Sequence, residues 1–253
     1  MFSFVKSHKT IIHPMKTNRY GFNALFTYAA VICIIAALTT NITSQDIVPA
    51  QDKESQSKIT PAIALQMMKD GNTRFIDGVL YKRNMLEQVR TTAYGQYPYA
   101  VVLSCIDSRT APEITFDQGI GDIFDARIAG NFINDDILGS MEYSCKVVGA
   151  RLILVMGHTD CGAIKSTIDD AQLGNITQML AKIKPAVEKT VYDGEKSSKN
   201  YDYVDLVSKE NVLLAIENIK LNSPILKELY DNGEIDIVGC MYNVQNGKVE
   251  FYK

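Results

Sequence analysis

Histidine is scarce in this chain, and tryptophan is absent: three histidines and no tryptophan occur among 253 residues. His8 and His13 lie close to the N-terminus, so His158 is the only histidine left for the rest of the chain. If His158 binds a metal, no other histidine remains there to accept and pass on protons at neutral pH. The small number of histidines therefore excludes a histidine proton shuttle.

An excess of positive charge is also lacking, because the formal net charge is −3. Proteins that bind nucleic acid neutralise phosphates with clustered lysine and arginine, so nucleic-acid binding has no electrostatic support here. The content of 46% hydrophobic and 22% charged residues is typical of a soluble globular protein. The length suffices for one well-buried domain.

The one long apolar run, residues 22–38, follows Lys16 and Arg19 near the N-terminus. A positive segment before a short apolar segment is typical of a secretory signal peptide. The run is also near the lower length limit for a spanning helix, so an uncleaved anchor is the alternative. We assign residues 1–44 to a signal peptide or membrane anchor and expect export to the periplasm, with membrane association only if this leader is uncleaved.

Five cysteines are present, and Cys33 lies in the predicted leader. The other four would allow two disulfides in an oxidising compartment. Their positions argue against that pairing. Cys145 and Cys240 fall at apolar positions of predicted elements, which is typical of buried core thiols. Cys105 and Cys161 instead fit metal ligation.

The folded domain is predicted over residues 60–253, after a polar, aperiodic linker at residues 45–59. Thr60 and Pro61 are typical of a helix start. We expect this helix to run to about Asp70, where Gly71 and Asn72 interrupt or end it.

Strand and helix patterns alternate along the domain. Apolar runs predict strands at residues 99–104, 122–128, 151–156, 235–242 and 248–252. Helical periodicity lies between these strands. One predicted helix has an apolar face formed by Ile137, Leu138, Met141, Cys145 and Val148. Residues 211–221 form a second, amphipathic helix. This alternation predicts an α/β fold with a mostly parallel central sheet flanked by helices.

Chemically reactive residues follow two of these strands. Cys105 comes directly after the strand at 99–104, and His158 comes two residues after the strand at 151–156. The carboxyl ends of parallel strands meet at one edge, so both residues are expected to lie close together. Cys161 is expected to open a helix, where the N-terminus favours the thiolate. Two thiolates and an imidazole form a ligand set for Zn²⁺ that leaves one position open.

The fourth position has two candidate occupants. Water there would be acidified by zinc and become a nucleophile at neutral pH. Asp107 there would close the site. Arg109 can hold that carboxylate through two charge-assisted hydrogen bonds and so keep it off the metal, which lysine would not reproduce.

Other interpretations of these residues remain open. The cysteines and His158 can be ordinary core residues, and Asp107 and Arg109 can form a purely structural ion pair. Cys161 can also be the nucleophile of a thiol enzyme with His158 as its base.

The ordered motifs of residues 60–253 resemble the β-class carbonic anhydrases. The matching segments are residues 71–75, 105–109, 116–124, 127–131 and 157–163. The resemblance implies a β-carbonic anhydrase-like fold with a parallel sheet, and a homodimer that often pairs into tetramers. It also implies reversible hydration of carbon dioxide to bicarbonate.

The resemblance further implies roles for single residues. Cys105, His158 and Cys161 would bind zinc, and Asp107 would bind it only in a closed form. In an open form, Asp107 would instead pair with Arg109. One subgroup of this family has an inhibitory bicarbonate pocket that contains a tryptophan. This chain has no tryptophan, so that residue of the pocket is missing here.

Two further residues, Gln118 and Gly162, are predicted to donate hydrogen bonds near the substrate pocket, with turn and helix-start roles as the alternative. Two alternative functions also remain. One is a zinc hydrolase acting on a related substrate such as carbon disulfide. The other is a non-catalytic bicarbonate or zinc sensor closed by Asp107.

Overall fold

The computed structural model describes residues 47–252 of the chain. The predicted leader at residues 1–44, with its apolar run and Cys33, lies outside the described residues, so its assignment stays a prediction. Within the described part of the chain, no helix is long and apolar enough to cross a membrane.

A sheet of five strands forms the centre of the fold. The strands are β1 (Ala100–Ser104), β2 (Ile123–Arg127), β3 (Leu152–His158), β4 (Asp236–Tyr242) and β5 (Val249–Tyr252). Their order across the sheet is β2-β1-β3-β4-β5, and only the β4–β5 pair is antiparallel. The predicted α/β fold with a mostly parallel sheet is confirmed.

Helices lie between the strands and cover the sheet. They are α1 (Lys53–Ser57), α2 (Pro61–Asp77), α3 (Met85–Thr92), α4 (Pro112–Thr115), α5 (Asp135–Glu142), α6 (Gly162–Ile168), α7 (Gly174–Leu180), α8 (Lys184–Lys189), α9 (Tyr201–Asn222) and α10 (Pro224–Asp231). A π-helical turn, Tyr143–Val147, continues α5.

Every residue of β1 and β3 is buried, because side chains alternate between two apolar layers on opposite faces of the sheet. One layer joins β1 and β3 to α9 and α10, and the other joins them to α2. Cys145 belongs to the first layer and Cys240 to the second, as predicted for core thiols. Burial raises the pKa of Cys145 to about 12, so this thiol stays protonated.

The chain changes direction across the sheet beside β1. It passes from β1 to β2 on one side and then returns to β3 on the other side. The crevice outside the carboxyl ends of β1 and β3 is therefore the topological switch point, where α/β folds place their ligands. Ser104 pairs with Met156 in this register, so Cys105 and His158 emerge at the same edge.

Helix α2 begins as predicted, with Thr60 as N-cap and Pro61 in the first turn, but it does not end near Asp70. It continues through Gly71 and Asn72, and stops where Gly78 adopts a φ of 69°. The prediction was wrong because both residues serve distant contacts. The Asn72 amide donates to two backbone carbonyls and accepts from Val249 N at 2.9 Å.

Gly71 allows α2 to pack closely against the backbone of Phe116, since a methyl group there would collide with the Phe116 carbonyl oxygen. We expect Gly71→Ala to lower the free energy of unfolding by about 1–3 kcal/mol, although alanine favours helices. Gly139→Ala in α5 is the matched control, because a Cβ there meets nothing within 4 Å. It should stabilise the fold by about 0.5–1 kcal/mol. Urea unfolding of both variants measures the difference, and equal midpoints would contradict the close packing.

Residues 47–59 form a segment that we call the N-terminal strap. The sequence predicts a linker over residues 45–59, but the described part contains α1 and bonds to the rest of the domain. Val48 N donates to Lys82 O at 2.9 Å, and Gln51 N donates to an Asp122 carboxylate oxygen at 3.2 Å. The Gln56 amide donates to two backbone carbonyls, those of Pro98 and Val148. The polar side chain of Gln56 therefore serves the fold rather than a free linker.

Candidate metal centre

Cys105, His158 and Cys161 are brought together by three different elements. Cys105 follows β1, His158 is the last residue of β3, and Cys161 is the N-cap of α6. Their ligand atoms all lie within 4.8 Å of one another, and all three residues are buried. Three ligand atoms at this spacing can surround a single metal ion.

The ring of His158 has one nitrogen ready to bind a metal. Its Nδ1 lies 2.9 Å from the carbonyl oxygen of Thr159, which can only accept, so Nδ1 carries the proton. The other nitrogen, Nε2, is buried and has no hydrogen-bond partner among residues 47–252. A buried acceptor without a partner is costly, and a cation facing the two thiols would satisfy it.

The two thiols interact strongly with each other. Hydrogen bonding from Cys161, assisted by the Gly130 N–H, lowers the pKa of Cys105 to about 4. The hydrogen bond that Cys161 donates to Cys105 raises the pKa of Cys161, and burial and the negative charge of Cys105 raise it further. A divalent cation would neutralise both thiolates and replace the proton between them. This donor set of two sulfurs and one nitrogen fits zinc.

Asp107 and Arg109 form a two-pronged ion pair beside the ligands. Arg109 Nε donates to one carboxylate oxygen at 2.9 Å, and Nη2 donates to the other at 2.8 Å. This hydrogen bonding lowers the pKa of Asp107 to about 2, so its carboxylate is ionised at neutral pH. Asp107 Oδ2 also lies 3.9 Å from His158 Nε2. The carboxylate is thus held by Arg109 at the edge of the three-ligand cluster.

Arg109 is shared with a second carboxylate, that of Asp160. The distance from Arg109 Nη1 to Asp160 Oδ2 is 3.5 Å, and Lys165 pairs with the other oxygen of Asp160. Asp160 has a φ of 58°, and its backbone N–H donates to Asp205 Oδ1 at 3.0 Å. The turn that carries Cys161 therefore also holds Arg109. Sequence reasoning missed Asp160, Lys165 and Asp205 because their partners are fixed only by the fold.

The backbone of the loop after β1 is held by Arg127, the last residue of β2. Its Nε donates to the Cys105 carbonyl at 3.0 Å, and its Nη2 donates to the Asp107 carbonyl at 2.8 Å. Arg127 pairs in register with Ser104, which places its side chain beside this loop. The motif at residues 127–131 is the sequence signal, although its role is visible only in the structure.

The two residues predicted near the substrate pocket are placed differently. Both amide atoms of Gln118 are used in the core: Oε1 accepts from Tyr99 OH at 2.7 Å, and Nε2 donates to Phe116 O. Tyr99 precedes β1, whereas Cys105 follows it. Gly162 is the first residue of α6, directly after Cys161, where a backbone N–H has no acceptor within the helix. Gly162 therefore lies beside the ligands. Gln118 bonds to core groups and also lines a surface depression beside α3 and α4, so its role at the substrate pocket stays a prediction.

Comparison with known proteins identifies the family. A family model described as carbonic anhydrase matches residues 100–249. The carbonic anhydrase of Mycolicibacterium smegmatis is 35% identical over 192 residues, which cover 75% of this chain and 92% of that protein.

Solved structures share the fold. The β-carbonic anhydrase CafA of Aspergillus fumigatus matches with a TM-score of 0.61 at 20% identity, over 76% of this chain and 90% of that one. A tetrameric β-carbonic anhydrase of Sordaria macrospora matches with a TM-score of 0.56 at 19% identity, over 64% and 84%. By its family match and its relatives, this chain belongs to the carbonic anhydrase family of enzymes, and it shares its fold with β-carbonic anhydrases.

Proposed function

We propose that the protein catalyses the reversible hydration of carbon dioxide to bicarbonate and a proton, at a zinc ion held by Cys105, His158 and Cys161. One observation carries this proposal: the ligand atoms of His158 and two buried thiols lie within 4.8 Å of one another, and His158 Nε2 is buried without a hydrogen-bond partner among residues 47–252. Membership of the carbonic anhydrase family supports the proposed reaction, and this cluster of ligand atoms supports the proposed position of the zinc ion.

The three ligands leave a fourth position for solvent. Bound zinc would lower the pKa of a water molecule toward about 7, which would provide a nucleophile at neutral pH. The chain itself fixes the geometry around that position. Hydrogen bonds from His158 Nδ1 to Thr159 O and from Gly130 N to Cys105 Sγ hold two of the ligands in place.

Asp107 has two conceivable positions, and the observed contacts support the open one. Both of its carboxylate oxygens accept hydrogen bonds from Arg109, which keeps the carboxylate away from the fourth position. With a pKa of about 2, Asp107 accepts hydrogen bonds at neutral pH and does not store a proton. We therefore assign Asp107 to orienting solvent beside the metal, and Arg109 to holding Asp107.

Metal removal and return test this function. The purified chain should contain about one zinc per protein and hydrate carbon dioxide; a chelator should abolish the activity, and added zinc should restore it. Alkylation of the metal-free chain should block that recovery, because two ligands are thiols. An active chain without zinc would contradict the proposal and would favour Cys161 as a nucleophile with His158 as base.

The assembly is proposed to be a homodimer or a tetramer. Exposed apolar side chains cluster around α3 and α4, and five of them line one surface depression: Leu80, Tyr81, Met85, Ile114 and Ile120. Apolar patches of this kind mark protein interfaces. The tetrameric structure from Sordaria macrospora shares the fold. Light scattering of the purified chain measures the mass of the assembly.

Export is proposed from the sequence of the leader. Lys16, Arg19 and the apolar run at residues 22–38 have the order of a signal peptide, with anchoring as the alternative. The N-terminal residue of the mature protein distinguishes cleavage from anchoring.

A further inference from the structure

One metal ligand, Cys105, receives a hydrogen bond from the backbone. The N–H of Gly130 donates to Cys105 Sγ at 3.3 Å, and both groups are buried. Hydrogen bonds to a thiolate ligand reduce the charge that it donates to a metal and fix its orientation. The position of the Gly130 peptide therefore bears directly on the proposed zinc site.

The backbone at Gly130 needs support to hold this position. Gly130 has a φ of 78°, a conformation that other residues rarely adopt, and a methyl group there would collide with Ile183 Cδ1. A backbone hydrogen bond from Asn131 N to Ile128 O, at 2.9 Å, closes the turn. Glycine can adopt this conformation, but a glycine is flexible and does not by itself fix the backbone in it.

Asn211 supplies the missing support from a distant helix. It lies within α9, 81 residues along the chain from Gly130, and it is only 4% exposed. Its Nδ2 donates to the Gly130 carbonyl oxygen at 2.7 Å. Asn211 thus holds one side of Gly130 by its carbonyl, while the N–H on the other side points at Cys105 Sγ.

We propose that Asn211 is a positioning residue for the metal centre, which acts through Gly130 to keep the Gly130 N–H on the thiolate of Cys105. This inference rests on the proposed zinc site and adds to it a residue outside the ligand set. Asn211 does not touch the metal or the substrate. Its effect is on how tightly the metal is held and on the electronic character of one sulfur.

The test compares two asparagines on the same helix. Asn211→Leu removes the donor with little change in size. Asn218→Leu is the matched control, because Asn218 lines the same cavity as Asn211 but is not the residue that bonds to Gly130. Both variants and the unaltered chain are loaded with zinc, and zinc transfer to a chromophoric chelator is timed. Each is also loaded with cobalt, and the sulfur-to-cobalt charge-transfer absorption is recorded.

Asn211→Leu should release zinc about 10- to 100-fold faster than the unaltered chain. Its cobalt absorption should move to longer wavelength, because the sulfur loses a hydrogen bond. Asn218→Leu should change neither. A purely structural role of Asn211 would lower the unfolding midpoint but leave the cobalt spectrum in place, and that result would overturn the proposal. If Asn211→Leu does not fold, Asn211→Ala carries the same test with only a shortened side chain.

The outcomes separate this inference from the proposed function. Zinc uptake without carbon dioxide hydration in the unaltered chain would contradict the function and leave the Asn211 comparison intact. Equal zinc release and equal spectra in the two variants would contradict only the role of Asn211. A chain that takes up neither metal would contradict both.

Discussion

Cys161→Ser is expected to remove zinc from the protein and to lower carbon dioxide hydration more than a hundredfold while the fold persists. Residues that only support a ligand change metal affinity or activity by about 10- to 100-fold, so loss of a ligand should exceed that range. Cys161 is the N-cap of α6 and makes no capping hydrogen bond with its side chain. Serine is among the favoured N-cap residues, so α6 should be at least as stable in the variant.

Cys145→Ser is the matched control for this experiment. Cys145 is also buried, with 6% exposure, but it lies in the apolar layer beside α9 and outside the metal cluster. A serine hydroxyl there should reduce the free energy of unfolding by about 1–3 kcal/mol and leave the zinc content unchanged. Metal analysis, circular dichroism and carbon dioxide hydration measure these effects. Zinc retained after Cys161→Ser would refute the proposed ligand set.

Arg109→Ala is expected to lower carbon dioxide hydration by about tenfold to a hundredfold without loss of zinc. The guanidinium holds both oxygens of Asp107 at 2.8–2.9 Å. The Arg109 side chain is 45% exposed, so solvent screens these bonds, and the two together contribute about 1.5–3 kcal/mol. This energy corresponds to at least a factor of about ten in an equilibrium between two positions of Asp107. Without Arg109, the carboxylate is free to turn toward the metal and occupy the solvent position.

Arg90→Ala controls for the general loss of an arginine. Arg90 pairs with Glu87 at 3.2 Å on the surface of α3, and its side chain is 70% exposed. The Arg90→Ala variant should keep the activity of the unaltered chain, since exposed ion pairs contribute little to stability. Arg109→Lys should not restore the rate, because an ammonium lacks the planar fork that matches a carboxylate. Full activity of Arg109→Ala would contradict the assigned role, and loss of zinc would mean that Arg109 supports the ligands instead.

The sheet and the metal cluster were accessible to prediction because their signals are local. The run of apolar residues before Cys105 predicts a buried strand, and the same holds before His158. Parallel strands then bring these two residues to one edge without further information. The observed end of β3 differs slightly from the predicted end at Met156, because the strand continues to His158.

Long-range contacts explain what the sequence could not show. Gly71 and Asn72 are typical of a helix end, yet α2 passes through them because they meet Phe116, Thr115, Gly247 and Val249. Asn211 gives no signal of its own, because its partner Gly130 is distant in sequence. The prediction for helix 211–221 captured only the second half of α9, whose first half has polar and aromatic residues among the apolar ones.

The N-terminal strap limits where the chain can be cut. The strap bonds begin at Val48, and the amide of Gln56 reaches carbonyl oxygens that precede β1 and β3. A protease that removed the residues before Thr60 would strip these two carbonyls of their donor and would also remove Ile59, a core residue that is 8% exposed. If the proposed leader is cleaved, a cut that keeps the bond from Val48 N to Lys82 O must therefore fall upstream of Val48.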